Sequence, residues 1–396
     1  MVEGGPFSHV DPFDPLRIIF SHASISAAMF YFSWIWLICE VLFFVLVRFV
    51  LAPYLNIVKK PPAQKDPLKL MTRVLDAIDE LKSYSIEKFI FGFFLESSVS
   101  DLKTENVKSF FAWSMCAKKV QDLTLGEERQ IDSIFADAQR RHECLRNVPF
   151  GFNPAVKHVE MTLCPTVSFI HRPLFMNVIS GLLECFANFF VFRAQGYRSL
   201  ELRGITYKYL KGKRNDLEPM LFLHGITSGW MIYMQLIKAL SGDRTIILID
   251  LNSIKIKSLS FNMPRPQDFS DTIFCILKRH NFSQASVVGH SFGSITAGWF
   301  VSCYPQAVSH LTLLDPVSLL LALPEVAFSF LYKKPRTVME WCIYLFAAQE
   351  LTIANTLYRS FWWYENILWL EDVPAHVGIV VALAGGGECV YCVCFI

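Results

Sequence analysis

The stretch Gly-His-Ser-Phe-Gly at 289–293 places one hydroxyl between two residues that lack side chains. It follows the short apolar run Ala285–Val288 and precedes the helix-compatible segment Ile295–Cys303. Strand, tight turn and helix in that order form the setting in which such a serine stands exposed as a nucleophile. The turn is sharp enough to strain the backbone of the central residue, and the flanking glycines let strand and helix approach each other. The chemistry this suits is acyl transfer: the Ser291 hydroxyl attacks a carbonyl carbon, whose oxygen becomes an oxyanion. His224-Gly225 closes an earlier apolar run, and the loop after it is where a second oxyanion donor belongs. The amides of Phe292 and Ile226 are the candidate pair, each such donor being worth about 3 kcal/mol to the transition state.

Positioning these groups requires a sheet. Ser199–Arg203 and Ile205–Tyr209 alternate around Gly204 as a half-buried hairpin does. Met220–Leu223, Thr245–Ile249 and Ala285–Val288 are continuous apolar runs, each followed by a turn and a helical stretch. That is the pattern of a parallel sheet covered on both faces, and His310–Leu314 and Val377–Ala384 extend it. The order strand, His-Gly, strand, GxSxG, strand over residues 219–315 resembles the α/β-hydrolase fold in its lipase- and esterase-like branch of AB hydrolase-1 type. The resemblance covers residues 197–388, and the anchored helical region before it is similar to that of membrane-anchored microbial members. The elbow departs from the epoxide-hydrolase and dehalogenase branches, whose nucleophile is a carboxylate.

The resemblance implies an α/β class with a mostly parallel sheet and a helical cap, and a triad in the chain order Ser, acid, His. It offers two acid positions: Asp315, at the end of the strand after the nucleophile helix, and Glu388, in Gly385-Gly-Gly-Glu past the next strand. The base histidine it implies is not found. No His follows Glu388. His376 begins the 377–384 strand, whose residues at about 3.3 Å each put it about 26 Å from the active-site end. His290 is expected to point away from its neighbour Ser291, and His224 is expected to be structural. A truncated or misread form of a longer hydrolase is the expectation these gaps raise. The alternative is a non-catalytic descendant that binds a lipid or a partner at a membrane.

Between the strands at 310–314 and 377–384 lie too many residues for a connection within a sheet, and they are rich in Leu, Phe and Trp. In this fold that insertion, about 316–375, forms the cap, and its aromatic lining favours an apolar acyl or ester substrate. Upstream, Ile25–Val47 is 23 residues long with Glu40 its sole charge, which suffices to cross a bilayer. Arg48, Lys59, Lys60 and Lys65 follow it, predicting a single-pass protein with its C-terminal domain in the cytosol. The remaining expected divisions are a tail at 1–24 and a transmembrane helix at 25–52. A Pro-rich linker at 53–67 and a helical region at 68–195 follow, the latter holding an interfacial or spanning helix at 174–192. The hydrolase domain then occupies 196–396.

Composition narrows the classes. The 396 residues include 37 basic and 35 acidic side chains, a net charge of +2 that gives no field to attract nucleic acid. A 53% hydrophobic content excludes dominant disorder and directs attention to lipid. Eleven scattered cysteines read as reduced thiols, and the tail pair Cys389 and Cys392 lacks a second pair to complete a zinc site. Neither a phosphate-binding nor a dinucleotide-binding glycine motif is present, so no cofactor is expected.

Overall fold

The computed structural model describes residues 15–81, 84–95, 97–256 and 260–384. Its centre is a sheet of seven strands: β1 (Arg198–Leu202), β2 (Ile205–Leu210), β3 (Met220–Leu223), β4 (Ile246–Ile249), β5 (Ala285–His290), β6 (Val308–Leu314) and β7 (Gly378–Ala382). The spatial order is β1-β2-β4-β3-β5-β6-β7. β1 and β2 form the hairpin, turning at Arg203 and Gly204, both at positive φ. β2 runs antiparallel to β4, and every pairing from β4 to β7 is parallel.

The continuous apolar runs divide by the period of the pleat. Leu221, Leu223, Ile247, Ile249 and Val287 enter one core, while Met220, Phe222, Ile246, Leu248 and Val288 enter a second on the opposite face. Both faces are therefore covered, which is why these strands carry no polar alternation. β7 stands at the edge of the sheet with its side chains exposed.

Helices precede the sheet. α1 (Pro15–Val45) continues through a π-helical segment, Leu46–Leu51, into α2 (Ala52–Leu55). A layer follows of α3 (Pro67–Glu80), α4 (Ile86–Phe91), α5 (Thr104–Cys116), α6 (Leu125–Arg141) and α7 (Glu143–Arg146). The Thr124–Glu127 capping box opens α6, with the Glu127 amide donating to Thr124 Oγ1 and the Thr124 amide to Glu127 Oε2. The helical stretch breaks at His142, which separates α6 from α7. α8 (Leu174–Phe186) then leads into the π-helical segment Ala187–Phe192.

Within the sheet domain lie α9 (Met234–Ser241), α10 (Pro266–Arg279) and α11 (Gly293–Cys303). The insertion between β6 and β7 folds as α12 (Pro324–Leu331), α13 (Val338–Ile343), α14 (Leu351–Arg359) and α15 (Trp363–Asn366), with a π-turn at Tyr344–Ala348 after α13. One continuous core reaches from Val47 and Leu55 through α3–α6 to the sheet and this insertion. Polar ties fasten the layer to the insertion: Arg73 pairs with Glu371 and Asp372, and Tyr84 and Lys88 both reach Glu325. Ser26–Leu55 and Leu174–Phe192 are long and apolar enough to cross a membrane, by length and composition.

Candidate active site

Because β3 to β6 run in one direction, the residues that leave their C-terminal ends gather along one rim of the sheet, where open α/β sheets bind ligands. Those ends deliver His224, Asp250, Ser291 and Asp315. Ser291 sits between β5 and α11 with φ +51, in the left-handed region that a non-glycine residue enters only under constraint. Its amide donates to Leu314 O at 2.9 Å, and its carbonyl accepts from Ser294 N at 2.9 Å and Ser294 Oγ at 2.6 Å, so the bend is fastened on both sides.

Glycine is required around it for space. A Cβ on Gly293 would lie 2.1 Å from Leu223 O, and one on Gly289 would lie 2.7 Å from Gly293 O. A Cβ on Gly225 would stand 2.9 Å from Ser291 Cβ and 3.1 Å from His290 Nδ1. The His-Gly loop thus presses directly against the serine. Among the described residues, the amides of Ile226 and Phe292 donate to no protein acceptor, and both residues line the cavity that Ser291 faces.

That cavity has a volume of 280 Å³ and an almost wholly apolar lining. His290, Ser291 and Asp315 mark its polar end. The β6–β7 insertion contributes Leu321, Val326, Ile343 and Phe361 among others. Another part of the wall comes from the upstream helical layer, with Met71 and Val74 of α3, Phe89 of α4, and Phe110 and Trp113 of α5. The sequence alone does not mark these helices as walls of a cavity. A lining side chain has the same apolar type and helical spacing as a core side chain, so nothing in the sequence separates the two. Trp363 Nε1 donates to Ser114 O at 2.9 Å and joins the two walls.

The histidines are placed by their partners. His224 is buried; its Nε2 accepts from Leu251 N at 3.0 Å, so the proton is on Nδ1, which donates to Gly225 O at 2.7 Å. Both nitrogens are used, and burial pushes the imidazole pKa down, so His224 is a neutral strut beneath the oxyanion loop. His290 is among the residues that line the cavity, and its Nδ1 lies 3.1 Å from where a Cβ on Gly225 would stand. Tyr233 OH accepts from Gly225 N and lies within hydrogen-bond distance of His290 Nδ1, each at 3.0 Å. Burial lowers the His290 pKa, and the Asp315 carboxylate opposes that shift. Burial also pushes the Tyr233 phenol up to about 12, keeping it a neutral bridge between loop and imidazole.

Asp315 has φ +44, donates its amide to Ala382 O at 2.8 Å and accepts from Ala384 N at 2.7 Å, so it also fastens the end of β7. His376 lies at the opposite rim, its Nε2 3.1 Å from Pro305 O before β6. Glu388 falls outside the described residues.

Residues 218–367 match the family profile described as alpha/beta hydrolase fold. Over 134 residues, 33% of this chain, the sequence is 30% identical to the human serine hydrolase-like protein and covers 65% of it. Over 145 residues, 35% of this chain, it is 28% identical to the human (lyso)-N-acylphosphatidylethanolamine lipase and covers 42% of it. Among solved structures, a probable hydrolytic enzyme from Pseudomonas aeruginosa aligns at 16% identity and a TM-score of 0.32, over 47% of this chain and 72% of that one. The chain spans less than two thirds of the length of these curated relatives. The profile match falls on the stretch of sheet and insertion that surrounds Ser291, and over that stretch the chain has an α/β-hydrolase fold.

Proposed function

We propose that this protein is a membrane-tethered serine hydrolase that cleaves an ester or similar acyl bond in an apolar, lipid-like substrate. The observation that carries the reading is Ser291, held at φ +51 on a strand-to-helix bend and facing a 280 Å³ cavity with an apolar lining. In this reading the acyl chain lies along that lining and its carbonyl carbon meets Ser291 Oγ. The developing oxyanion is met by the Ile226 and Phe292 amides, which have no protein acceptor among the described residues. Asp315 is the acid that its place on the cavity supports, and Glu388 is the second acid candidate from the sequence. The reading names no base histidine; both ring nitrogens of His224 are engaged, and His290 Nδ1 lies 3.0 Å from Tyr233 OH.

The tether in this reading is α1, with the basic residues from Arg48 to Lys65 holding the hydrolase domain on the cytosolic side. The apolar lining argues for a long acyl chain over an acetyl group, and the lipase relative acts on a substrate that its name describes as an N-acyl phospholipid. The test is labelling of the detergent-solubilised full chain by a fluorophosphonate probe. Labelling that disappears in Ser291→Ala supports an activated serine. Absence of labelling on folded protein would leave the ligand-binding, non-catalytic reading in its place.

A further inference from the structure

We propose that α8 does not cross the membrane but lies in the plane of one phospholipid leaflet, with its apolar face in the acyl region and its other face seated on the hydrolase domain. Three observations carry this. First, α8 and its π-helical continuation are two-sided. Ile179, Leu182, Leu183, Phe186, Phe189 and Phe190 are all exposed. On the opposite side Glu184 pairs with Lys255, which also reaches Asp250 at 3.5 Å, and Ala187 and Phe192 are buried in the core beneath β3 and β4. Burial lowers the Lys255 pKa, but Asp250 and Glu184 outweigh it and hold the ammonium charged. If α8 spanned the bilayer, this mid-helix ion pair and the polar loop after β4 would have to sit at membrane depth beside it. Lying flat, the helix leaves them in the protein and exposes only apolar side chains to lipid.

Second, the depth fits. Leu174 N and Phe175 N, at the start of α8, donate to the Glu40 carboxylate of α1 at 2.6 and 2.9 Å. Glu40 precedes Val47, among the described residues the first of the long helix to be fully buried in the core, by about two turns, or roughly 10 Å along the axis, with Phe43 between them partly buried against that core. That is the depth at which an in-plane helix beds its apolar face. Third, a cation brackets each end, Arg172 before α8 and Arg193 after its continuation, with guanidinium groups over Phe346 and Phe189 at 5.5 Å each. Basic groups at both ends suit a helix whose ends both lie at the phosphate level of one leaflet. Arg172 also donates to Leu345 O at 2.7 Å, so the exposed Trp341 and Phe346 of α13 and its π-turn continue the same lipid-facing surface.

This inference shares the membrane with the proposed function but does not depend on the nucleophile, and its test does not read activity. The full chain is reconstituted into phosphatidylcholine–phosphatidylserine vesicles. A fluorescent non-natural amino acid is placed in turn at positions 175, 182 and 189, whose native side chains are all exposed. Quenching is read with nitroxides near the head and near the tail of the lipid acyl chain. Shallow quenching at all three positions, at least twofold stronger from the near-head nitroxide, is the expected result. Position 182 quenched mainly by the near-tail nitroxide, with 175 and 189 shallow, would mean that α8 spans the bilayer. No quenching at any position would mean that the surface never meets lipid. Either outcome overturns the proposal. Probes at 179 and 183 repeat the measurement should any one substitution disturb folding.

Discussion

At the scale of single residues, the backbone at 291 makes a prediction that separates strain from chemistry. A non-glycine residue in the left-handed region costs roughly 1–2 kcal/mol, and Ser291 is held there by bonds to Leu314 and Ser294. Ser291→Gly and Ser291→Ala both remove the hydroxyl, but only glycine relieves the strain. Glycine gives back part of that gain as unfolded-state entropy, so Ser291→Gly should be more stable than Ser291→Ala by about 0.5–1 kcal/mol in chemical denaturation. Equal stabilities would mean that the bend is not strained. The bend was legible in the sequence because two glycines at fixed offsets between a strand and a helix leave few alternatives. The role of His290 was not, since its orientation depends on Gly225 and Tyr233, which are distant in sequence. His224 supplies a second test. Burial depresses its folded pKa below the unfolded value, so the unfolded chain binds the extra proton. Its contribution to stability is complete above about pH 6.5 and is lost as the pH falls below that value. His224→Asn should lower stability at pH 7.5 yet flatten the acid-side slope by up to about 1.4 kcal/mol per pH unit, read from melting curves between pH 7.5 and 5.5.

At the scale of elements, the strands were readable because continuous runs of Ile, Leu and Val in short segments have few other uses. Burial on two faces explains those runs, with Leu221 on one side and Phe222 on the other. The hairpin was readable from Gly204, and α6 from its capping box, both local signals. That α3, α4 and α5 wall the cavity was not readable, because it arises from tertiary docking through Arg73, Tyr84 and Lys88 onto the β6–β7 insertion. Val74 of α3 is buried yet borders the cavity, so a larger side chain there has space to enter. Val74→Phe should shorten the pocket without opening the core. If acyl chains occupy this end, kcat/KM for long-chain p-nitrophenyl esters should fall about tenfold or more, one methylene in an apolar pocket being worth roughly 10–200-fold. Acetyl ester hydrolysis should change much less. A uniform loss across chain lengths would place the substrate elsewhere.

At the scale of the whole molecule, the long N-terminal helix is joined to the body by a buried cation. Arg359, at the end of α14, is 1% exposed. Its Nε donates to Leu55 O at 2.8 Å and its Nη2 to Asn56 O at 3.2 Å, with Nη1 turned back to Tyr358 O at 2.8 Å. Leu55 ends the helix that began at Pro15, so the guanidinium closes the negative end of a long run of aligned peptide dipoles. Burial lowers its pKa, yet a guanidinium remains charged, and its planar fork serves several carbonyls at once. One tie between the apolar helix and the cavity thus runs through a side chain of the insertion that also walls that cavity. Removing it strands carbonyls of Leu55 and Asn56 in the interior, at a cost of about 3–5 kcal/mol for Arg359→Ala. Arg359→Lys should recover less than half of the loss, because an ammonium cannot span both carbonyls and the chain's own Tyr358 O. Melting of the full chain in detergent decides it. If the two variants melt together with the parent, the helix is held without Arg359, by packing at Val47 and Leu55 among other contacts, and the cavity and the long N-terminal helix are not mechanically coupled through α14.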